Sequence, residues 1–178
     1  MTGFLRYVGI LNAAVWVGAA IFFTFGIAPA AFSAEMRNLI GEKNYPYYSG
    51  AITQLLLARY FYLQLICGIV AILHLLAEWL YLGKTPKKAW LGLLISLFAI
   101  VLIGGNWLQP KLKDLHRIKY AVDASADQRK LASETFKSWH GTSQVLNLLL
   151  LAGLAVYLWR VANPPDPTRF VSTTKFRS

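Results

Sequence analysis

Four long apolar blocks divide the chain and constrain its fold more than any other feature. They lie at about residues 4–32, 50–82, 89–107 and 140–162, and polar segments separate them. As a helix, each block is long enough to cross most or all of the roughly 30 Å hydrocarbon core of a bilayer. Only 15% of the residues are charged, against about a quarter in soluble domains. The sequence therefore predicts an all-α integral membrane four-helix bundle.

Two of the predicted helices extend beyond the lipid. Ser125 and Gln128 have the spacing of a capping box, which favours a helix start near Ala126. A helix from there to residue 162 is about 55 Å long at 1.5 Å per residue. The third helix is expected to continue past Pro110 to match it, so that helices 3 and 4 form a protruding hairpin. The predicted helices span about 4–32, 50–82, 89–121 and 126–162.

The connecting segments complete the expected domain, residues 1–162. A short interfacial helix is predicted between Ser33 and Ser49, with Ser49 as a cap for the second helix. The basic turn at 83–88 makes the second and third helices antiparallel neighbours. Residues 163–178 form a Pro-rich basic tail that we expect to be extended, or ordered against a partner.

The net charge of +10 is spread over loops and tail, which favours topology signals and contacts with anionic lipid over nucleic-acid binding. The side that carries the N-terminus, the 83–88 turn and the tail has eight Lys and Arg in short segments. The opposite side has ten, together with six acids, in longer segments. This density predicts that both termini face the cytoplasm.

Few ionisable or amide side chains lie within the apolar blocks, and those that do are the first functional candidates. On the second helix these are Gln64, His74 and Glu78. The spacing of four places His74 and Glu78 on one face, where the carboxylate could orient the imidazole. Two interpretations are open. In the first, His74 is a metal, haem or pigment ligand, or a step in a proton relay. In the second, His74 is bonded to a neighbouring helix and Glu78 lies at the inner headgroup level.

The fourth helix carries a polar stripe in an otherwise Leu-rich block, formed by His140, Ser143, Gln144 and Asn147. The four positions share one helix face. Such a stripe either joins helices by hydrogen bonds or lines a small polar site.

A haem held by both His74 and His140 within one copy is not expected, because the two lie at different depths on helices that run the same way. A haem or chlorophyll-type pigment would have to be shared with a neighbouring subunit. His116 lies on the same side as His140, but the sequence offers no ligand cluster beside them and no metal site is predicted.

The sequence shows no nucleophile elbow, phosphate loop or paired carboxylates, so no enzyme activity and no catalytic residue is predicted.

Several short motifs resemble a known family. They are Ala14-Val-Trp-Val-Gly-Ala, Pro29-Ala-Ala-Phe, Arg59-Tyr-Phe and the run Phe136-Lys-Ser-Trp-His-Gly-Thr-Ser with Asn147-Leu-Leu. Together they resemble the bacterial four-helix membrane domain family related to transmembrane protein 205. The resemblance covers most of residues 5–159 and implies the fold and a bacterial inner membrane location. It implies no biochemical activity.

Three functions remain as hypotheses. The leading one is a non-catalytic accessory subunit of a larger membrane complex, for example a respiratory or photosynthetic electron-transfer assembly. Its partners would contact aromatic helix faces, the hairpin and the tail. The alternatives are a small oligomeric transporter or channel-like protein that uses the polar stripe, and a haem- or pigment-binding protein that uses His74.

Overall fold

The computed structural model describes residues 2–83, 85 and 87–163. Residues 164–178, and with them nearly all of the predicted tail, lie outside the described residues. The elements in chain order are α1 (Thr2–Ile21), a first π-helical segment (Phe22–Ile27), α2 (Ala28–Ala31), α3 (Ala34–Ile40), α4 (Tyr45–Leu82), α5 (Lys88–Ile103), a second π-helical segment (Gly104–Leu108), α6 (Gln109–Tyr120) and α7 (Ala126–Ala162).

These elements form four continuous spans that are long and apolar enough to cross a membrane, at Gly3–Ala31, Tyr45–Tyr81, Lys88–Tyr120 and Ala126–Ala162. The predicted four-helix membrane bundle is therefore confirmed. The first span packs against the second and fourth, and the third span also packs against the second and fourth. The fully buried side chains at the centre include Trp16, Leu97, Leu150 and Leu154.

The outer surface of the bundle is apolar. Phe22, Phe25, Ile95, Leu148 and Leu149 all point outwards with about half or more of their surface exposed. Apolar patches of this extent are rare on soluble monomers. In a membrane they face acyl chains, so this surface indicates direct contact with the lipid bilayer.

The second helix begins at Tyr45, earlier than the expected start near residue 50. Pro46 lies in its first turn, where a residue without an N–H is tolerated. Ser49 consequently lies inside the helix and does not cap it. Its hydroxyl donates a hydrogen bond to the carbonyl of Ala31 and so joins the ends of the first two spans.

The short interfacial helix between the first two spans is α3. The hydroxyl of Ser33 caps it by accepting a hydrogen bond from the Met36 amide at 3.2 Å. Hydrogen bonds from the backbone amide and then from Ser33 lower the pKa of the Glu35 carboxyl, which lies in the first turn. The carboxylate thus sits where the positive end of the helix favours it.

Helices α6 and α7 form the predicted hairpin. The third span continues without a break through the second π-helical segment, and Pro110 lies in the first turn of α6. The capping box is present: Ser125 Oγ accepts from the Gln128 amide at 3.2 Å, and Gln128 Oε1 accepts from the Ser125 amide at 2.9 Å. Below, "the hairpin" means α6, residues 126–138 of α7 and the loop that joins them.

Close approach between α4 and α6 depends on Gly50. A Cβ at this position would overlap the imidazole of His116, which is itself buried and stacked on Tyr47. The imidazole therefore has little room to move away. By contrast, a Cβ at Gly92 would meet no atom within 4 Å.

We expect Gly50→Ala to destabilise the protein by about 1–3 kcal/mol, the usual cost of overpacking a close contact. Gly92→Ala is the matched control, and we expect it to be neutral or slightly stabilising. Unfolding in mixed detergent micelles, followed by circular dichroism, measures both. Equal effects of the two substitutions would show that the Gly50 contact is not required.

Candidate functional site

Polar side chains join the helices at several depths of the bundle. At the end that carries the 83–88 turn, the Arg6 guanidinium donates to the carbonyl of Ala162 at 3.2 Å. Near the middle, Asn12 Nδ2 donates to the carbonyl of Cys67 at 3.0 Å, and the indole N–H of Trp16 donates to Gln64 Oε1. The polar groups of the first two spans are thus used largely for contacts between helices.

His74 is one of these contacts. Its Nε2 lies 2.8 Å from the carbonyl oxygen of Leu5, and because that oxygen can only accept, the ring nitrogen donates. The ring packs directly on the backbone of α1 at Gly9, where a Cβ would lie 2.5 Å from Nε2. Iron ligation through Nε2 would require this hydrogen bond to break.

Glu78, the predicted orienting partner, is half-buried. Among the hydrogen bonds of the described residues, none joins it to His74. The imidazole is instead oriented by Leu5 of the first span. The role of His74 as an axial ligand stays a prediction, and so does a shared haem or pigment.

The predicted polar stripe of the fourth helix is divided between two environments. His140 and Gln144 are exposed, and their side chains contact each other, with Gln144 Nε2 3.3 Å from His140 Nε2. Phe136 stacks on the His140 ring at 5.7 Å. Ser143 and Asn147 are half-buried. The four residues therefore do not line a single path inside one copy of the bundle.

Asn147 lies at the centre of a hydrogen-bonded cluster that joins three spans. Its Nδ2 donates to Thr24 Oγ1 at 2.8 Å, and its Oδ1 accepts from the hydroxyl of Tyr60 at 3.4 Å. The ring of Tyr60 is buried and stacks on Phe23 at 4.5 Å. We call Thr24, Tyr60 and Asn147 the three-span cluster. The sequence indicated Asn147, but Thr24 was not among the candidates and Tyr60 appeared only within the Arg59-Tyr-Phe motif.

Two π-helical segments lie on either side of this part of the second span. Thr24 and Phe23 belong to the first segment, and Gly104 of the second packs against the ring of Phe61. Each segment thus touches one of two adjacent residues, Tyr60 and Phe61. Single π-helical turns within α-helices occur often at functional sites, so this half of the bundle is the stronger candidate region.

A second polar group of residues lies where the hairpin meets α4, and the sequence did not predict it. Gln54, Gln109 and His116 are each about nine-tenths buried. Gln109 Nε2 donates to the carbonyl of Gln54 at 3.5 Å, while Gln54 Oε1 and His116 Nε2 have no hydrogen-bond partner among the described residues. The imidazole lies among Tyr47, Tyr120 and Phe136. The available signals were the amide of Gln54 within the second apolar block and that of Gln109 just after the third.

The described residues contain no group of three or more His, Cys, Asp and Glu side chains arranged to hold a metal ion. The chemistry that the arrangement does provide is hydrogen bonding between helices and aromatic stacking around them. These observations define the class: a polytopic membrane protein built as a four-helix bundle with hydrogen-bonded helix interfaces.

The family model of a domain of unknown function, DUF4149, matches residues 11–121, and the chain belongs to that family. The match covers most of the first span and the whole of the second and third. It does not reach residues 136–147, which carry the most specific motif of the resemblance described above. The relation to transmembrane protein 205 and a bacterial origin therefore stay predictions. Searches of curated proteins and of solved structures gave no match.

We expect Asn147→Ala to cost about 1–2 kcal/mol of stability, because it leaves the Thr24 and Tyr60 hydroxyls without their partner inside the bundle. Gln144→Ala, three residues earlier on an exposed face, is the control and should change stability by less than about 0.5 kcal/mol. Unfolding in mixed micelles measures both. If the two variants unfold alike, the three-span cluster does not stabilise the bundle.

Proposed function

We propose that the protein is a non-catalytic subunit of a larger membrane assembly and that it binds its partner through the hairpin. Three features support this function: the way interior polar groups are used, the length of the hairpin beyond the lipid, and the apolar residues at its tip. The tip carries the proposal, because a group of exposed apolar side chains with a polar rim is typical of a contact with another protein.

The interior supports a structural role. Hydrogen bonds to a neighbouring helix are formed by the side chains of Trp16, His74 and Asn147. A surface cleft of about 800 Å³ lies between α6 and α7 in the hairpin. A transporter that uses the fourth helix would need a path that includes His140, which faces outwards in this structure.

The length of the hairpin beyond the lipid follows from its aromatic residues. Trp107 and Trp139 meet edge to face at 4.9 Å, and Lys111 Nζ lies 5.5 Å from the Trp139 ring. Trp and Lys in this arrangement are typical of the headgroup level. Trp159 lies on the same helix as Trp139, twenty residues later and about 30 Å away. This distance matches the hydrocarbon thickness. Residues 126–138 then extend about 20 Å from the membrane.

The hairpin tip combines apolar exposure with positive charge. Val122 is 93% exposed, Leu131 is 66% exposed and Ile118 is 38% exposed, and the last two line the cleft between α6 and α7. Between residues 111 and 137 there are seven Lys and Arg against four Asp and Glu. This pattern fits a partner that presents an apolar contact with an acidic rim.

The narrower proposal is that the assembly transfers electrons. The absorption spectrum of the complex tests it, since haem, flavin or pigment in a partner subunit would give visible bands. An isolated chain without such bands is expected, because the proposal places the cofactor in the partner.

We expect a double variant, Val122→Asp with Leu131→Asp, to release the protein from the assembly. Both side chains are exposed, so the fold should be retained, while the new charges oppose an apolar contact and an acidic rim. In mildly solubilised native membranes, size-exclusion chromatography should find the wild-type chain in a large species and the variant in a small one. Leu39→Asp, an exposed apolar position on α3, should remain in the large species.

Two results would contradict this proposal. One is a wild-type chain that already elutes as a small particle. The other is a double variant that stays in the large species while remaining folded by circular dichroism.

We also propose that the protein lies in a bacterial inner membrane with both termini and the 83–88 turn in the cytoplasm. The support is the density of Lys and Arg in the short segments on that side. The hairpin would then project into the periplasm.

Cysteine labelling tests this orientation. The native Cys67 is buried and can be removed by Cys67→Ala. In that background, Lys130→Cys should react with a membrane-impermeant maleimide in intact spheroplasts, whereas Lys87→Cys should react only after lysis. Both positions are exposed. The reverse labelling pattern would invert the topology.

A further inference from the structure

A small cleft opens on the lipid-facing surface between the second and third spans, near the end of the bundle that carries the hairpin. Its volume is about 170 Å³, and its lining includes Ala58, Phe61, Leu65, Leu102 and Gly105. This is below the roughly 300–1,000 Å³ of sites for cofactors and drug-sized ligands. The cleft is small and lined mostly by apolar side chains, as a site for part of an acyl chain would be. We call it the lipid cleft.

Two polar side chains lie at the same height on the helices that flank the lipid cleft. Gly104 packs on Phe61, and Gln109 donates to the carbonyl of Gln54. Between these two contacts the antiparallel helices bring Asn106 level with Arg59. Both Arg59 and Asn106 are exposed. Among the described residues, no side-chain hydrogen bond or ion pair involves either side chain.

This height corresponds to the headgroup region. Asn106 immediately precedes Trp107, which meets Trp139 and Lys111 at the level assigned above to the aromatic belt. An arginine on a lipid-facing surface is unfavourable unless it reaches the headgroups or meets an anion. A phosphate satisfies it well, because the guanidinium can donate two parallel hydrogen bonds to phosphate oxygens.

We propose that the lipid cleft binds one acyl chain of an anionic phospholipid, with the phosphate held by Arg59 and the Asn106 amide. Tyr62, which lines the cleft and is 63% exposed, covers one side of the chain. Arg59 supplies the preference for a net negative headgroup, since no described acidic side chain pairs with it. The site is independent of the hairpin tip and of the assembly proposed above.

Native mass spectrometry of the delipidated protein tests this site by titration with phosphatidylglycerol and with phosphatidylcholine of the same acyl chains. We expect wild-type protein to retain phosphatidylglycerol in preference to phosphatidylcholine. Arg59→Gln should weaken phosphatidylglycerol binding about tenfold and remove the preference, since it loses a charge-assisted contact. Ala58→Leu, which fills the exposed lining of the cleft, should weaken both lipids.

Lys130→Gln is the matched control, because it removes an exposed cation of the hairpin away from the lipid cleft. Phosphatidylglycerol binding that is unchanged in Arg59→Gln, or reduced equally in Lys130→Gln, would overturn the proposal. A wild-type dimer that Arg59→Gln dissociates would overturn it as well, by assigning this surface to a second copy of the chain. Thermal unfolding of each variant shows that a loss of binding is not a loss of fold.

Discussion

Helices in a bilayer gain little from burying apolar side chains against one another, because the acyl chains are equally apolar. Close packing at small residues and hydrogen bonds between helices must therefore hold the bundle together. In this protein, close packing at glycine residues and polar contacts between helices occur at the same places. Gly9 lets the His74 ring reach the Leu5 carbonyl, and Gly50 makes the equivalent space for His116. Of the candidates that the sequence indicates, Gln64, His74 and Asn147 are consequently already bonded to another helix.

The same constraint explains which parts of the fold could be predicted. Hydrocarbon thickness sets the length that an apolar block needs to span the membrane, so the four spans can be recognised in the sequence. The excess length of the last helix and the capping box at Ser125 predict the hairpin for a local reason. The early start of α4 did not follow, because Pro46 is as typical of a turn as of a first helical turn.

Packing between helices determines the features that could not be predicted from the sequence. Gln144 and Asn147 lie three residues apart in one apolar block, yet one is exposed and the other bonds to two spans. Helix rotation separates them, and packing against the first and second spans sets that rotation. The π-helical segments have a local signal as well, because each ends two residues before a proline, Pro29 or Pro110, whose missing N–H leaves the carbonyl four residues earlier without its α-helical partner. Their positions also match Tyr60 and Phe61 of a neighbouring helix.

The two ends of the bundle differ in the groups and clefts that remain available to bind another molecule. At the end with the 83–88 turn, Arg6 and His74 form hydrogen bonds with backbone carbonyls of other segments. The half that carries the hairpin contains both π-helical segments, the three-span cluster, the cleft between α6 and α7, the lipid cleft and the buried His116. A bundle that only needed to span lipid would have no use for helices about 20 Å longer than the bilayer on one side. Binding to protein at the hairpin tip and to phospholipid at Arg59 would both use this half, and they would do so through different residues.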